Sequence, residues 1–302
     1  MDDFIIGAPN WISPLDREKI SPWNSFVDHH DFRIERQNIG DIETHDTLRL
    51  IQRFGICQLR LAGQAPDEAT LRSYFEPIGK AMDEQNKEVG DVKDIKPTSA
   101  PEAPNTGDST GDLGFHVDGT QTPDQPALLA FQYVEPADLK GDSRFIDMAA
   151  IMLQLPDAVR EKVFLDLSQP DTAVFEKKGM RLVSPIFHLP DGESVACRIR
   201  IDGVIDVKEE CRESYEIIRS ALLNSDNGVT FKPRKGDIII FDNWRVLHAR
   251  DAVLGNNQRH HRRVWMEALL PHHQAHFKLG VRPISARIKA EILENNSVDA
   301  RI

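Results

Sequence analysis

The chain has 302 residues, 40% apolar and 28% charged, with a formal net charge of −11. That length can bury a core without disulfides, and the acidic balance excludes a broad nucleic-acid or anionic-membrane surface. Cys57, Cys197 and Cys211 form no Cys-x-x-Cys pair, which excludes a zinc ribbon and points to reduced thiols in a cytoplasmic protein.

Met1–Asp2–Asp3 carries no basic n-region and does not read as a secretory signal. No apolar run reaches the length of a membrane span. Residues 1–40 read as irregular, with Ser13–Pro14 able to open a short helix. Leu48, Leu50, Ile51 and Phe54 predict a helix over 44–54, and Gly55 is placed to cap it. Alternation predicts a strand over 55–61. Leu71, Tyr74, Phe75, Ile78 and Met82 predict a second helix over 66–82. Residues 83–113 are polar and proline-rich and read as a long loop, a lid over a site. A buried strand over 126–135 follows, then a turn and strand over 141–147. Asp147 caps a helix over 148–155, and Pro156 opens another to about residue 165. Residues 181–201 predict a β-hairpin around Pro190, Asp191, Gly192 and Glu193. A helix over 207–223, strands over 229–231, 237–242 and 264–270, and a tail helix over 283–293 complete the chain. Helices before and within a set of strands make the class α+β. One catalytic domain over 1–302 is expected, with no internal repeat.

The chemistry-bearing stretch is Gly114-Phe115-His116-Val117-Asp118-Gly119-Thr120. On an extended strand, residues i and i+2 share a face, so His116 and Asp118 can reach one metal ion. His248, far downstream, completes two histidines and one carboxylate. That set, with open positions opposite, suits non-haem Fe(II) and oxygen chemistry. Arg259 and Arg263 follow His248. A 2-oxo dicarboxylate chelating the metal needs a partner for its distal carboxylate. Arginine, always charged and able to bond bidentately, suits that role, and Ser143 can add a hydroxyl. The bland readings are a chance His-x-Asp, a satisfied buried His248, and a solvated basic patch over 259–263.

The motifs GFHVDGT, KGDSRFIDM and KGDIIIFDNWRVLHAR, followed by RHHRRVWMEAL, resemble the Fe(II)/2-oxoglutarate-dependent oxygenases. The likeness is to the taurine dioxygenase-like (TauD/TfdA) branch, related to clavaminate synthase-like and γ-butyrobetaine hydroxylase-like enzymes. It spans about residues 114–270. The resemblance implies a double-stranded β-helix (jelly roll) core with flanking helices. It implies His116, Asp118 and His248 as iron ligands. Arg259 and Ser143 take the positions that bind 2-oxoglutarate. Arg263 takes that of a second arginine contacting cosubstrate or substrate, and Arg262 stands as a substitute for either arginine. Fe(II), 2-oxoglutarate and O2 are the implied cofactor and cosubstrates. The expected reaction oxidises an unactivated C–H bond of a small, acidic or amino-acid-like molecule, by hydroxylation, desaturation or cyclisation. Arg198 and Arg200 either bind an acidic group of that substrate or face solvent. For Trp244 and Arg245, which flank the ligand strand, the bland readings are core packing and a pair with Asp242, and the alternative is support of the metal ligand. No nucleic-acid or membrane partner is expected. The alternatives are a non-catalytic metal- or ligand-binding jelly roll and a zinc-dependent hydrolase, for which no second carboxylate is clearly placed.

Overall fold

The computed structural model describes Trp23, Asp28 and residues 30–281, apart from 64, 83–91, 98–106, 108, 178 and 255–258, and also Ala290 and Leu293. The expected helix at Ser13–Pro14, most of the 83–113 loop and nearly all of the tail helix over 283–293 lie outside the described residues.

Two sheets face each other. The larger runs in the order β1 (Arg33–Arg36), β2 (Ile56–Leu61), β9 (Ile238–Asp242), β6 (Leu128–Glu135), β11 (His260–Leu269) and β3 (Gly79–Ala81), with β4 (Val92–Ile95) also on β11. The smaller runs β8 (Val229–Phe231), β7 (Ser143–Asp147), β10 (Val246–Arg250) and β5 (Leu113–His116). Period-two alternation builds the layers. Leu129, Phe131, Ile239, Phe241 and Trp265 of the large sheet pack with Phe145, Phe231 and Val246 of the small one. The alternate residues Leu128, Ala130, Ile238, Ile240 and Met266 turn the other way, onto α1 (Thr44–Phe54) and α2 (Glu68–Phe75). Ile146, Leu247 and Ala249 likewise turn onto α3 (Met148–Gln154), α4 (Asp157–Leu167) and α5 (Arg212–Asn224). The order is helices, sheet, sheet, helices, and the inter-sheet layer holds the site.

Most expected elements are present, several at their expected bounds. Gly55 caps α1 at φ 74°, and its N–H donates to the Ile51 carbonyl. The Asp147 carboxylate caps α3 by accepting from the Ala149 N–H. Six readings change. The helix expected over 66–82 ends at Phe75, because Pro77 cannot sit inside a helix, and residues 79–81 instead pair with β11. The 83–113 loop contains β4, whose Val92 and Ile95 are buried. The helix expected from 207 starts at Arg212, because Ile205–Val207 pairs with Ala173–Lys177 as a strand. The last long strand begins at His260, not 264. The 181–201 hairpin pairs only Phe187–His188 with Ala196–Cys197, and β1, read as irregular, pairs parallel with β2. Among the described residues, no helix is long and apolar enough to cross a membrane.

Asp242, at the end of β9, is buried and accepts from the Trp244 N–H (3.0 Å) and the Gly280 N–H (2.6 Å). Burial pushes its carboxyl up to about 7, against the opposing pull of Arg245. A carboxyl raised in the folded state contributes stability at low pH that is lost as pH rises through its folded value. Wild-type protein is therefore expected to lose stability relative to Asp242→Asn as pH rises through about 7. Paired thermal melts across that range check this, and parallel profiles would refute it.

Candidate active site

β5 and β10 are antiparallel neighbours, and the register sets His116 directly opposite His248. Their ring centroids are 4.1 Å apart. β5 ends at His116, and the chain enters a turn at Asp118. Asp118 therefore reaches the histidines from that turn, not from a continuing strand. Its Oδ1 lies 3.5 Å from His116 Nε2 and 3.7 Å from His248 Nε2. One ligand atom from each residue falls within 4.8 Å of the others, and all three side chains are buried.

The donor set is in the state a metal requires. His116 Nδ1 lies 2.8 Å from the Gly114 carbonyl, which can only accept. The proton therefore sits on Nδ1, and Nε2 presents its lone pair. Burial and the Arg200 charge lower the His116 pKa, and burial and His116 lower that of His248 further. Both imidazoles are neutral. Burial alone would raise the Asp118 pKa. The Arg263 guanidinium outweighs it and holds the carboxylate well below its ordinary range. Two neutral imidazoles and one carboxylate with a shared open side fit Fe(II).

Asp118 Oδ2 faces away from the histidines and accepts from Arg263 Nη1 (2.7 Å) and Trp265 Nε1 (3.0 Å). Both donors come from one face of β11, as the i, i+2 alternation expects. Behind the turn, Asn243 Oδ1 accepts from the Asp118 N–H, while its Nδ2 donates to the Asp118 and Pro126 carbonyls. Gly119 has φ +72°, and a Cβ there would meet Pro126 Cδ at 2.4 Å. Asn243 was not singled out in the sequence. The only signal was a polar residue inside a buried apolar run, FDNWRVL. Asn243→Ala is expected to weaken Fe(II) binding by about 10–100-fold, the usual cost of losing a group that orients a ligand. Equilibrium dialysis measures it, and unchanged affinity would count against the clamp.

A pocket of about 100 Å³ contains the triad and is also lined by Ser143, Arg259 and Arg263. Ser143 Oγ lies 2.8 Å from the Tyr133 hydroxyl. Arg259 donates to the Gly107 carbonyl and lies 3.4 Å from His261 Nδ1. Arg262 points to the other face, where it donates to Gln132 Oε1 (3.1 Å) and the Pro66 carbonyl (3.4 Å). Strand parity therefore removes it as a substitute for Arg259 or Arg263. Arg198 and Arg200 are both buried, so neither faces solvent. Arg200 lines the pocket and is ion-paired with Asp202. Arg198 does not line it. Its guanidinium donates to the carbonyls of Gly119, Thr120, Thr122 and Pro123. Arg245 pairs with Asp147, not Asp242. His261, Phe131 and Tyr133 also line the pocket, and burial with the Arg259 charge keeps His261 neutral.

Comparisons with known proteins show relatives of the sequence and of the fold. Human γ-butyrobetaine dioxygenase is 27% identical over 166 residues, covering 49% of this chain and 42% of that protein. The match thus spans less than half the length of that relative. PvcB from Pseudomonas aeruginosa superposes with a TM-score of 0.61 at 22% identity, covering 79% of this chain and 87% of that one. An asparagine oxygenase in complex with Fe(II), 2S,3S-3-hydroxyasparagine and succinate superposes with a TM-score of 0.56 at 15% identity, covering 72% and 77%. A profile of the taurine catabolism dioxygenase TauD, TfdA family matches residues 16–265, and the chain therefore belongs to that family.

Proposed function

We propose that this protein is an Fe(II)- and 2-oxoglutarate-dependent oxygenase that oxidises a C–H bond of a small acidic or amino-acid-like substrate. The observation that carries the reading is the buried His116, Asp118, His248 cluster in a pocket also lined by Arg259 and Ser143. In this reading the two facing sheets are a double-stranded β-helix, the chain is one catalytic domain, and the 83–113 segment is a lid.

His116, Asp118 and His248 would hold the metal. With Fe(II) and 2-oxoglutarate held there, the chemistry supplied would be oxygen activation coupled to loss of carbon dioxide from the cosubstrate. The chain's own groups position and shield. Arg259 and Ser143 bind the distal carboxylate of 2-oxoglutarate, with the Tyr133 hydroxyl orienting Ser143. Arg263 keeps Asp118 ionised and one carboxylate oxygen turned to the histidines. Ile95, Leu113, Phe131 and Phe145 make the pocket wall apolar, which excludes water and fixes orientation. Lys177, Arg200, Arg250, Arg259 and Arg263 line the pocket, with Arg200 paired to Asp202 and Arg263 to Asp118. A lining rich in arginine suits an anionic group on the substrate as well as on the cosubstrate. The asparagine oxygenase complex supports an amino-acid-like substrate by analogy of fold.

Anaerobic titration of the apoprotein with Fe(II) and then 2-oxoglutarate tests the reading. A visible charge-transfer band that needs both additions is expected, and no band with both in excess would overturn it. Arg259→Ala is expected to raise the KM for 2-oxoglutarate roughly a hundredfold with a smaller effect on kcat, since it removes a charge-assisted bidentate bond. Steady-state kinetics against 2-oxoglutarate check this. An unchanged KM would move the role to another arginine.

A further inference from the structure

Arg250 is the last residue of β10, and the register sets it opposite Ser143 on β7. Alternation puts it on the same face as His248. It is buried and lines the triad pocket, as Ser143 and Arg259 do. Burial pushes the Tyr133 hydroxyl up to about 12, and the Ser143 hydrogen bond and then the Arg259 and Arg250 charges act against it. Both guanidinia therefore sit at the end of the pocket where Tyr133 meets Ser143.

The Arg250 guanidinium donates to main-chain carbonyls just before β5. Its Nη2 reaches the Gly111 carbonyl at 2.6 Å and its Nη1 the Gly107 carbonyl at 3.4 Å. Ser109 Oγ lies 3.5 Å from Nη2. Arg259 Nη2 donates to the same Gly107 carbonyl. One main-chain oxygen thus links the two arginines. The turn is also stitched to the chain beyond β10. The Val253 N–H donates to the Thr110 carbonyl (2.8 Å) and the Ala252 N–H to Asp112 Oδ1 (2.5 Å). Hydrogen bonds from an ionised donor are stronger than neutral ones, and the planar guanidinium fork can hold two acceptors at once. A long arginine side chain that is already held loses less freedom when it meets a carboxylate.

We propose that Arg250 is a positioning residue for the cosubstrate. It fixes the Gly107 carbonyl, and that carbonyl holds the Arg259 guanidinium for the distal carboxylate of 2-oxoglutarate. The inference rests on the reading of Arg259 as the residue that binds this carboxylate. Arg250 acts through Gly107 and Arg259 and not on 2-oxoglutarate itself.

Anaerobic titration of 2-oxoglutarate into the Fe(II)-loaded full chain, read by the charge-transfer band, tests this in a double-mutant cycle of Arg250→Gln and Arg259→Ala. Arg250→Gln is expected to weaken 2-oxoglutarate about tenfold, the cost of losing a hydrogen bond from a charged group, with Fe(II) affinity unchanged. In the Arg259→Ala background the same change should cost less than about twofold, because the route to the cosubstrate runs through Arg259. Arg250→Lys keeps the charge and loses the fork, and should weaken 2-oxoglutarate about threefold. It replaces the Gln variant in the cycle if that variant does not fold. Wild-type affinity for 2-oxoglutarate in a folded Arg250 variant would overturn the proposal and leave the role of Arg259 standing. Equal losses in both backgrounds would also overturn it, since Arg250 would then act independently of Arg259. A parallel fall in Fe(II) affinity would reduce Arg250 to a structural residue and overturn it as well. Absence of the band in wild type would instead remove the oxygenase reading, and this inference with it.

Discussion

A His248→Ala variant is expected to fold, to bind Fe(II) at least a hundredfold more weakly than wild type, and to show no turnover above background. Losing a group that merely orients a ligand costs about 10–100-fold in metal affinity, so losing a ligand costs at least the upper figure. The fold should survive. His248 packs against Phe131 at 5.3 Å and Phe241 at 5.1 Å between ring centroids, within an inter-sheet layer that keeps its other aromatic contacts. The main-chain pairing of β10 with β5 and β7 does not depend on the imidazole. Anaerobic Fe(II) titration and circular dichroism together read the result. Wild-type Fe(II) affinity in a folded variant would remove His248 from the ligand set and, with it, the proposed oxygenase chemistry.

Arg245→Ala is expected to destabilise the protein by about 3–5 kcal/mol, the range for removing one partner of a buried ion pair. Arg245 and Asp147 are 5% and 0% exposed, so solvent screens neither. The cost has two sources. Asp147 would stay buried without its cation while still capping α3 through the Ala149 N–H. Arg245 also lowers the pKa of Asp242, so its loss raises that carboxyl further and extends the fall in stability to higher pH. Urea denaturation of wild type and variant measures the change. A loss below about 1 kcal/mol would show the pair to be energetically idle, like an exposed surface pair.

Much of the architecture was written locally. The helix over 44–54 and its Gly55 cap follow from apolar spacing and the one residue that tolerates left-handed backbone. The buried run Ile238–Asp242 and the capping Asp147 are equally local. His116 and Asp118 declared themselves by being two residues apart, and His248 by following that buried run.

What the sequence by itself determined, then, was most of the element types and the identity of the metal-binding candidates, because periodicity, caps and His-x-Asp spacing are encoded within a few neighbouring residues. The tertiary structure alone decided which side chains meet. Arg263 reaches Asp118 and Arg262 does not, because β11 begins at His260 and its register places Arg263 opposite Phe131 and Arg262 opposite Gln132. Asn243 clamps the Asp118 turn from 125 residues away. Arg198, expected either in the substrate pocket or in solvent, holds the back of that turn. Arg245 found Asp147 instead of Asp242. These partnerships depend on sheet order and strand register between segments far apart in the chain, and a one-residue slip in register reverses every face. No local pattern carries that information.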